Sequence, residues 1–445
     1  MFDRRSIIVG GATLAAGCAT PVRPGTAGTA PSRFVGVDGL HFVRDGKPYR
    51  YAGANVWYGP WLGADTAYGN RARLGRELDR LQALGVRNLR IIGSAEESPL
   101  KNSITPGFRG KGSSYNEDLL KGLDWTLAEM AKRDMTAIVY LANFWEWSGG
   151  MMTYLSWVNG GNFINMNDPA HPWPEFPDRN AAFYTSRPAQ TLLRDYIKAV
   201  VQRTNSVTGV AYADDPTIMA WQLANEPRPG GSDAVAVPNL PNFYRWVDET
   251  ARYIKALDGH HLVTTGSEGL KGSIEREDVV LDAHRSPAID YMTTHIWPNN
   301  WGWMDAGNLA TTYDAGSAKV ADYIAAHVRL ARQLGKPLVI EEFGYPRDGA
   351  TAYDPKIATT FKDRFYRQIY AAVEADTAAG GPLAGSNFWA WNGEARTPHA
   401  DYRFVRGDLG YMGDPPHEPQ GWYGVFDSDA STMAVIKAHA AALAG

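Results

Sequence analysis

Short apolar runs recur through this chain at intervals long enough to hold a helix. Counting from a first run around Tyr51 to Trp57, they read "VRNLRII", "MTAIVYLAN", "IMAWQLAN", "LVTTG", "YMTTHIW", "KPLVIEEFG" and "GSNFWAW", eight in all. Segments between them carry helical spacing; "RARLGRELDRLQALG" sets Leu74, Leu78, Leu81 and Leu84 on one face. Strands separated by helices pair in parallel, and eight such units close into a cylinder more readily than they form an open sheet. The sequence therefore predicts an α/β fold, a single (β/α)8 TIM barrel over residues 34–445. Turn signals at Asp38-Gly39 and Asp45-Gly46 predict an N-terminal β-hairpin ahead of it. Segments 145–185, after the third strand, and 296–314, after the sixth, are long for plain connections and are expected to carry function.

Composition agrees with a folded body: 44% hydrophobic and 21% charged residues are ordinary globular shares. The net charge of −4, with no dense Lys/Arg cluster, gives no face for a polyanion, so no nucleic-acid partner is expected. The first residues are different in kind. "MFDRRSIIVGGATLAAGC" has Arg4-Arg5, then an apolar and small-residue run too short to span a bilayer, then the only cysteine, Cys18. Residues 1–17 read as an export signal and residues 18–33, rich in Pro, Gly, Thr and Ala, as a flexible linker. Arg4-Arg5 resembles a twin-arginine signal and "LAAGC" a lipobox, although Leu14 stands one place further from the cysteine than that pattern has it. The expectation is an exported monomer, periplasmic or anchored in the outer membrane through acylated Cys18, and otherwise secreted. One cysteine permits no internal disulfide.

Reactive groups of a barrel of this kind sit where its strands end. "IMAWQLANEP" places Asn225 and Glu226 at such an end, and "KPLVIEEFG" does the same with Glu341-Glu342. Two carboxylates at the ends of different strands are costly to hold near each other unless chemistry uses them, and glycoside hydrolysis does: one carboxyl protonates the leaving oxygen while the other meets the oxocarbenium-like carbon. Alternation along a strand lets only one of Glu341 and Glu342 face the site, and with Val339 and Ile340 both apolar the spacing does not say which. Among fifteen tryptophans, Trp57, Trp61, Trp145, Trp147, Trp297, Trp301, Trp303, Trp389 and Trp391 fall at or just past strand ends, where flat rings can bury the C–H faces of sugars; about half are expected to be core. His260-His261 has no companion ligands, so no metal site is expected.

Arg90 in "VRNLRII", Asn225-Glu226-Pro227, His295 in "THIWP", Glu342 in "EEFG" and Trp389 in "NFWAW" resemble, in order and strand position, the signature of glycoside hydrolase family 5. "GANVWYG", "NFWEWSGGM", "NEPRP" and "GSNFWAWNGE" are similar to its mannanase branch. The resemblance implies a retaining mechanism without metal or organic cofactor, with Glu226 as acid/base and Glu342, the glutamate directly before the aromatic-Gly pair, as nucleophile. It further implies Arg90 beneath the nucleophile, Asn225 donating to the sugar 2-hydroxyl, His295 beside the glutamates or the sugar, Trp389 as floor, Arg228 on the leaving-group side, and Trp57, Trp145 and Trp297 as further sugar contacts. Trp297 departs from the family's His-x-Tyr and is expected to stack instead. The implied substrate is β-1,4-mannan or manno-oligosaccharide cut internally, ahead of exo-β-mannosidase, cellulase and non-catalytic carbohydrate-binding readings.

Overall fold

The computed structural model describes residues 33–112, 114–349 and 353–444; the expected export signal, nearly all of the linker and Cys18 lie outside them. Eight parallel strands form the centre: β1 (Tyr51–Asn55), β2 (Asn88–Ile92), β3 (Thr136–Tyr140), β4 (Ile218–Gln222), β5 (Leu262–Thr264), β6 (Met292–Ile296), β7 (Leu338–Phe343) and β8 (Leu383–Phe388). Their order is β5-β4-β3-β2-β1-β8-β7-β6. A parallel bridge between Thr264 and Tyr291, beside an Asp290 N–H donating to the Val263 carbonyl at 2.8 Å, joins β5 to β6 and closes the cylinder. A helix follows each strand: α1 (Arg71–Ala83), α2 (Glu117–Ala131), α3 (Arg187–Val201), α4 (Asp233–Leu257), α5 (Glu277–His284), α6 (Leu309–Leu334), α7 (Thr360–Ala378) and α8 (Ala430–Ala444). All eight sequence-predicted strands are present. Helix starts follow local chemistry: Asn70 accepts the Arg73 N–H at 3.0 Å at the head of α1, and Asn116 does likewise for α2.

Both faces of each barrel strand are buried, which is why they read as nearly continuous apolar runs. The inside divides into two levels. At the N-terminal end Ile138, Met219, Leu262 and Val339 fill the cylinder, and Phe42 plugs it from below with its ring edge-on to Tyr291 at 5.2 Å. Phe42 belongs to the expected N-terminal hairpin, which is a three-stranded antiparallel sheet (Gly36–Asp38, His41–Arg44, Lys47–Tyr49) turning at the two Asp-Gly pairs. Above this apolar floor the interior becomes polar, with Asn55, Arg90, Gln222 and Glu341 fully buried. Buried polar groups demand partners, and these supply one another with them, so the upper half of the barrel is a fixed hydrogen-bonded lattice on which a site can be built.

Two boundaries differ from expectation. The fourth strand stops at Gln222; pairing resumes only as an isolated bridge between Asn143 and Asn225. Segment 145–185 is not a bare loop, since it folds into helices Gly150–Val158 and Glu175–Asn180 and packs as part of the wall.

Candidate active site

Arg90 is the hub. From β2 its guanidinium donates through Nε to Gln222 Oε1 at 2.9 Å, through Nη1 to Asn55 Oδ1 at 3.1 Å and to Glu342 Oε1, and through Nη2 to Asn225 Oδ1 at 2.7 Å. Tyr140 backs it with its ring centroid 4.5 Å away. Because Arg90 holds the Asn225 carbonyl oxygen, the Asn225 amide NH2 is turned toward Asn143 Oδ1 and the cleft, where it is a donor for a hydroxyl.

The two adjacent glutamates separate by a backbone irregularity. Between β7 and β6 Ile340 pairs with Thr294 and Glu342 with His295, so Glu341 is an extra residue in a bulge. Strict alternation would turn one of them out of the barrel; the bulge keeps both inside, and still only Glu342 faces the cleft, as expected. Glu341 lies deeper, accepting from Gln222 Nε2 and from Tyr291 OH at 3.3 Å, whereas Glu342 reaches the cleft. Just past it, a Cβ on Gly344 would stand 2.8 Å from the Trp297 ring and 3.0 Å from the Trp389 carbonyl oxygen, which is the physical reason for glycine in "EEFG".

Glu226 stands opposite, past the end of β4, with a left-handed φ of 49° that side chains other than glycine rarely adopt. Its N–H is anchored on the Gly266 carbonyl at 2.9 Å, and a Cβ on Gly266 would collide with Ala224 O. Glu226 Oε1 accepts from His295 Nδ1 at 2.6 Å, and Oε2 accepts from Trp145 Nε1. His295 Nδ1 is also 3.3 Å from Glu342 Oε2. One oxygen of each glutamate and one His295 nitrogen all lie within 4.8 Å of one another. Arg90, touching Glu342, adds a fixed positive charge to that cluster.

These distances set the proton balance. Burial alone would lower His295, but the charge of Glu342 and the hydrogen bond to Glu226 raise it to about 10. Burial would raise Glu226, yet the hydrogen bond and charge of His295 bring it down to about 2. For Glu342, burial and the Glu226 charge win over His295 and Arg90 and push it up to about 7. The three groups therefore share their protons, with His295 holding one at neutral pH.

Above the cluster opens a cleft of about 820 Å³. Trp145, Trp147, Trp297, Trp301 and Trp389 line it, together with Asn225, Glu226, Arg228 and Glu342. Trp297 meets Trp389 edge-on at 6.1 Å and packs on Tyr423 at 5.0 Å, so it does supply a ring at the position where the family has tyrosine. The Trp389 Nε1 is buried without a protein partner among the described residues, free to donate to a sugar hydroxyl. Arg90 and His295 are fully buried and act on the carboxylates from beneath. Trp57 is a correction: it is core, its Nε1 spent on the Gly413 carbonyl at 2.8 Å and its ring packed under Trp147. Trp61 and Trp391 are core as well. Sequence reasoning missed Trp173, Glu268 and Lys271, and also Pro415, His417 and Glu418 from segment 394–424 after β8. Only the Trp signal, already used for its neighbours, pointed to any of these.

A family model described as GH family 5 beta-mannosidase-like matches residues 32–445. The chain belongs to glycoside hydrolase family 5. It is accordingly a glycoside hydrolase. Among relatives, "Mannan endo-1,4-beta-mannosidase 4" of Oryza sativa subsp. japonica is 30% identical over 82% of this chain and 75% of its own. The family 5 mannosidase of Rhizomucor miehei superposes with a TM-score of 0.84 at 34% identity, covering 93% of this chain and 98% of that one, and has also been solved with mannosyl-fructose. The endo-1,4-beta-mannanase of the same organism shares the fold with a TM-score of 0.65 at 24% identity, over 92% of this chain and 99% of its own.

Proposed function

We propose that this glycoside hydrolase cleaves β-1,4-mannosidic bonds of mannan or manno-oligosaccharides with retention at the anomeric carbon. The observation that carries the mechanism is the approach of Glu226 and Glu342, within 4.8 Å oxygen to oxygen at the floor of a tryptophan-lined cleft. That spacing belongs with the roughly 5 to 5.5 Å separation of retaining enzymes and leaves no room for an attacking water between them. Glu342, in its ionised form and held by Arg90, attacks the anomeric carbon as the glycosidic oxygen takes, through Glu226, the proton that His295 Nδ1 passes to Glu226 Oε1. A glycosyl ester on Glu342 results; Glu226 then deprotonates the water that hydrolyses it. His295 Nδ1, one hydrogen bond from Glu226 Oε1, keeps the required proton in the cluster. The mannose unit is supported by the names of the rice and fungal relatives.

Internal cleavage is the leading mode. A second reading, removal of single mannose units from a chain end, is favoured by the higher TM-score with the fungal mannosidase than with the endo-mannanase and by the contribution of segment 394–424 to the cleft lining. Product analysis on mannotetraose separates them, since accumulation of mannose alone would remove the internal mode. Glu226→Ala and Glu342→Ala variants test the mechanism: each is expected to lower kcat by at least about 10²–10⁴, without additivity, and unchanged hydrolysis in both would sink it. Export with acylation of Cys18 rests on the leader sequence alone; no described helix is long and apolar enough to cross a membrane. Incorporation of labelled palmitate into the wild type but not Cys18→Ser tests that part.

A further inference from the structure

We propose that Glu341 is a positioning residue for the glutamate pair: it holds the hydrogen on His295 Nε2, so that Nδ1 is the nitrogen that passes and recovers the proton of Glu226. This rests on the acid/base role given to Glu226 above. The imidazole has carboxylates on both sides. Its Nδ1 is 2.6 Å from Glu226 Oε1 and 3.3 Å from Glu342 Oε2, and its Nε2 is 4.0 Å from Glu341 Oε2. His295 is fully buried, and Nε2 has no hydrogen-bond partner among the described residues. A ring nitrogen bearing a lone pair would be repelled by the carboxylate oxygen across that gap, whereas one bearing a hydrogen is attracted to it. The charge of Glu341 therefore selects Nε2–H.

Glu341 is itself fixed. Its Oε1 accepts from Tyr291 OH at 3.3 Å and its Oε2 from Gln222 Nε2, while Arg90 Nε stands 3.6 Å from Oε2. Arg90 makes its direct contact with Glu342, which leaves the buried charge of Glu341 facing His295. The phenols of Tyr51 and Tyr291, the other ionisable groups around Glu341, are kept neutral by burial. The bulge in β7 makes the arrangement possible, because an unbroken strand would turn one of two adjacent glutamates out of the barrel. With Nε2–H held, the proton on Nδ1 goes through Glu226 to the glycosidic oxygen and leaves a neutral imidazole. When water opens the glycosyl ester, its proton returns through Glu226 to Nδ1, and the ring ends as it began.

Glu341→Gln keeps the shape and removes the charge. In protein labelled with 15N-histidine, the titration of His295 is expected to move down by about one pH unit or more, and the basic limb of kcat/KM on 4-nitrophenyl β-mannoside to move with it, at little cost in KM. Glu341→Asp, which retains the charge, returns much of that shift. In the wild type, the neutral ring at the alkaline end of the titration carries its hydrogen on Nε2. A His295 titration that stays in place in Glu341→Gln, the result expected of a residue that only braces Arg90, overturns the proposal. So does a wild-type hydrogen on Nδ1, a measurement that stands even where Glu341→Gln fails to fold. Either result leaves the glutamate mechanism intact, whereas hydrolysis unchanged in Glu226→Ala overturns that mechanism and the role of Glu341 with it.

Discussion

Replacing Arg90 by Met removes one of the two cations against Glu342, the other being His295, while keeping a side chain of similar length. In the native site burial and the charge of Glu226 already push the Glu342 carboxyl up to about 7, opposed by His295 and Arg90. Without Arg90 that opposition is weaker, so the Glu342 pKa rises further and a smaller fraction is ionised at neutral pH. The acidic limb of kcat/KM should move up by about one pH unit or more, with about a tenfold loss per unit on its steep side. Asn55, Gln222 and Asn225 lose their donor at the same time. Breaking a buried ion pair by removing one partner costs about 3–5 kcal/mol. At about 2.1 cal/mol/K per residue, a domain of about 410 residues drops ~1.2 °C per kcal/mol, giving a fall in Tm of about 3.5–6 °C. Arg90→Lys retains the charge and should restore much of the pH limb without the stability, because one ammonium cannot reach the same set of acceptors. The assays are kcat/KM from pH 4 to 10 on an aryl mannoside and calorimetric Tm. An acidic limb that stays in place in Arg90→Met would refute the claim that this contact governs ionisation of Glu342.

Gly344→Ala drives a methyl against the Trp297 ring and the Trp389 carbonyl; a stability loss of about 1–3 kcal/mol with a larger fall in activity is expected, and urea titration alongside kinetics checks it. Asp258 is buried, yet hydrogen bonding and charge from His261, with donors from Trp221 and His260, overcome burial and lower it from 3.8 to about 2. A depressed carboxyl contributes stability that is whole above its unfolded value near pH 4 and is lost as pH falls toward 2, so Asp258→Asn should flatten the stability profile across that window. A profile of unchanged slope between pH 4 and 2 would contradict it.

How far the sequence reaches can be judged residue by residue. Each barrel strand was legible because parallel strands buried on both faces leave long apolar runs, and Glu226 was legible because a polar Asn-Glu-Pro ends one of them. The N-terminal sheet was legible from its Asp-Gly turns, though not its third strand or its role as a plug through Phe42. Period and composition are local properties, so they could not tell Trp57, which hydrogen-bonds Gly413 from the core, from Trp145, which touches Glu226. Nor did segment 394–424 show that its Pro415, His417 and Glu418 would close on the cleft.

What the order of residues determined by itself is the cylinder and the placing of carboxylates at its mouth, since pattern and strand ends are written along the chain. What only the folded chain decided is which side chains meet. The bulge that puts both Glu341 and Glu342 inside, the proton shared through His295 and the spacing of Glu226 from Glu342 all depend on pairing between strands far apart in sequence. Such contacts exist only once the barrel has closed.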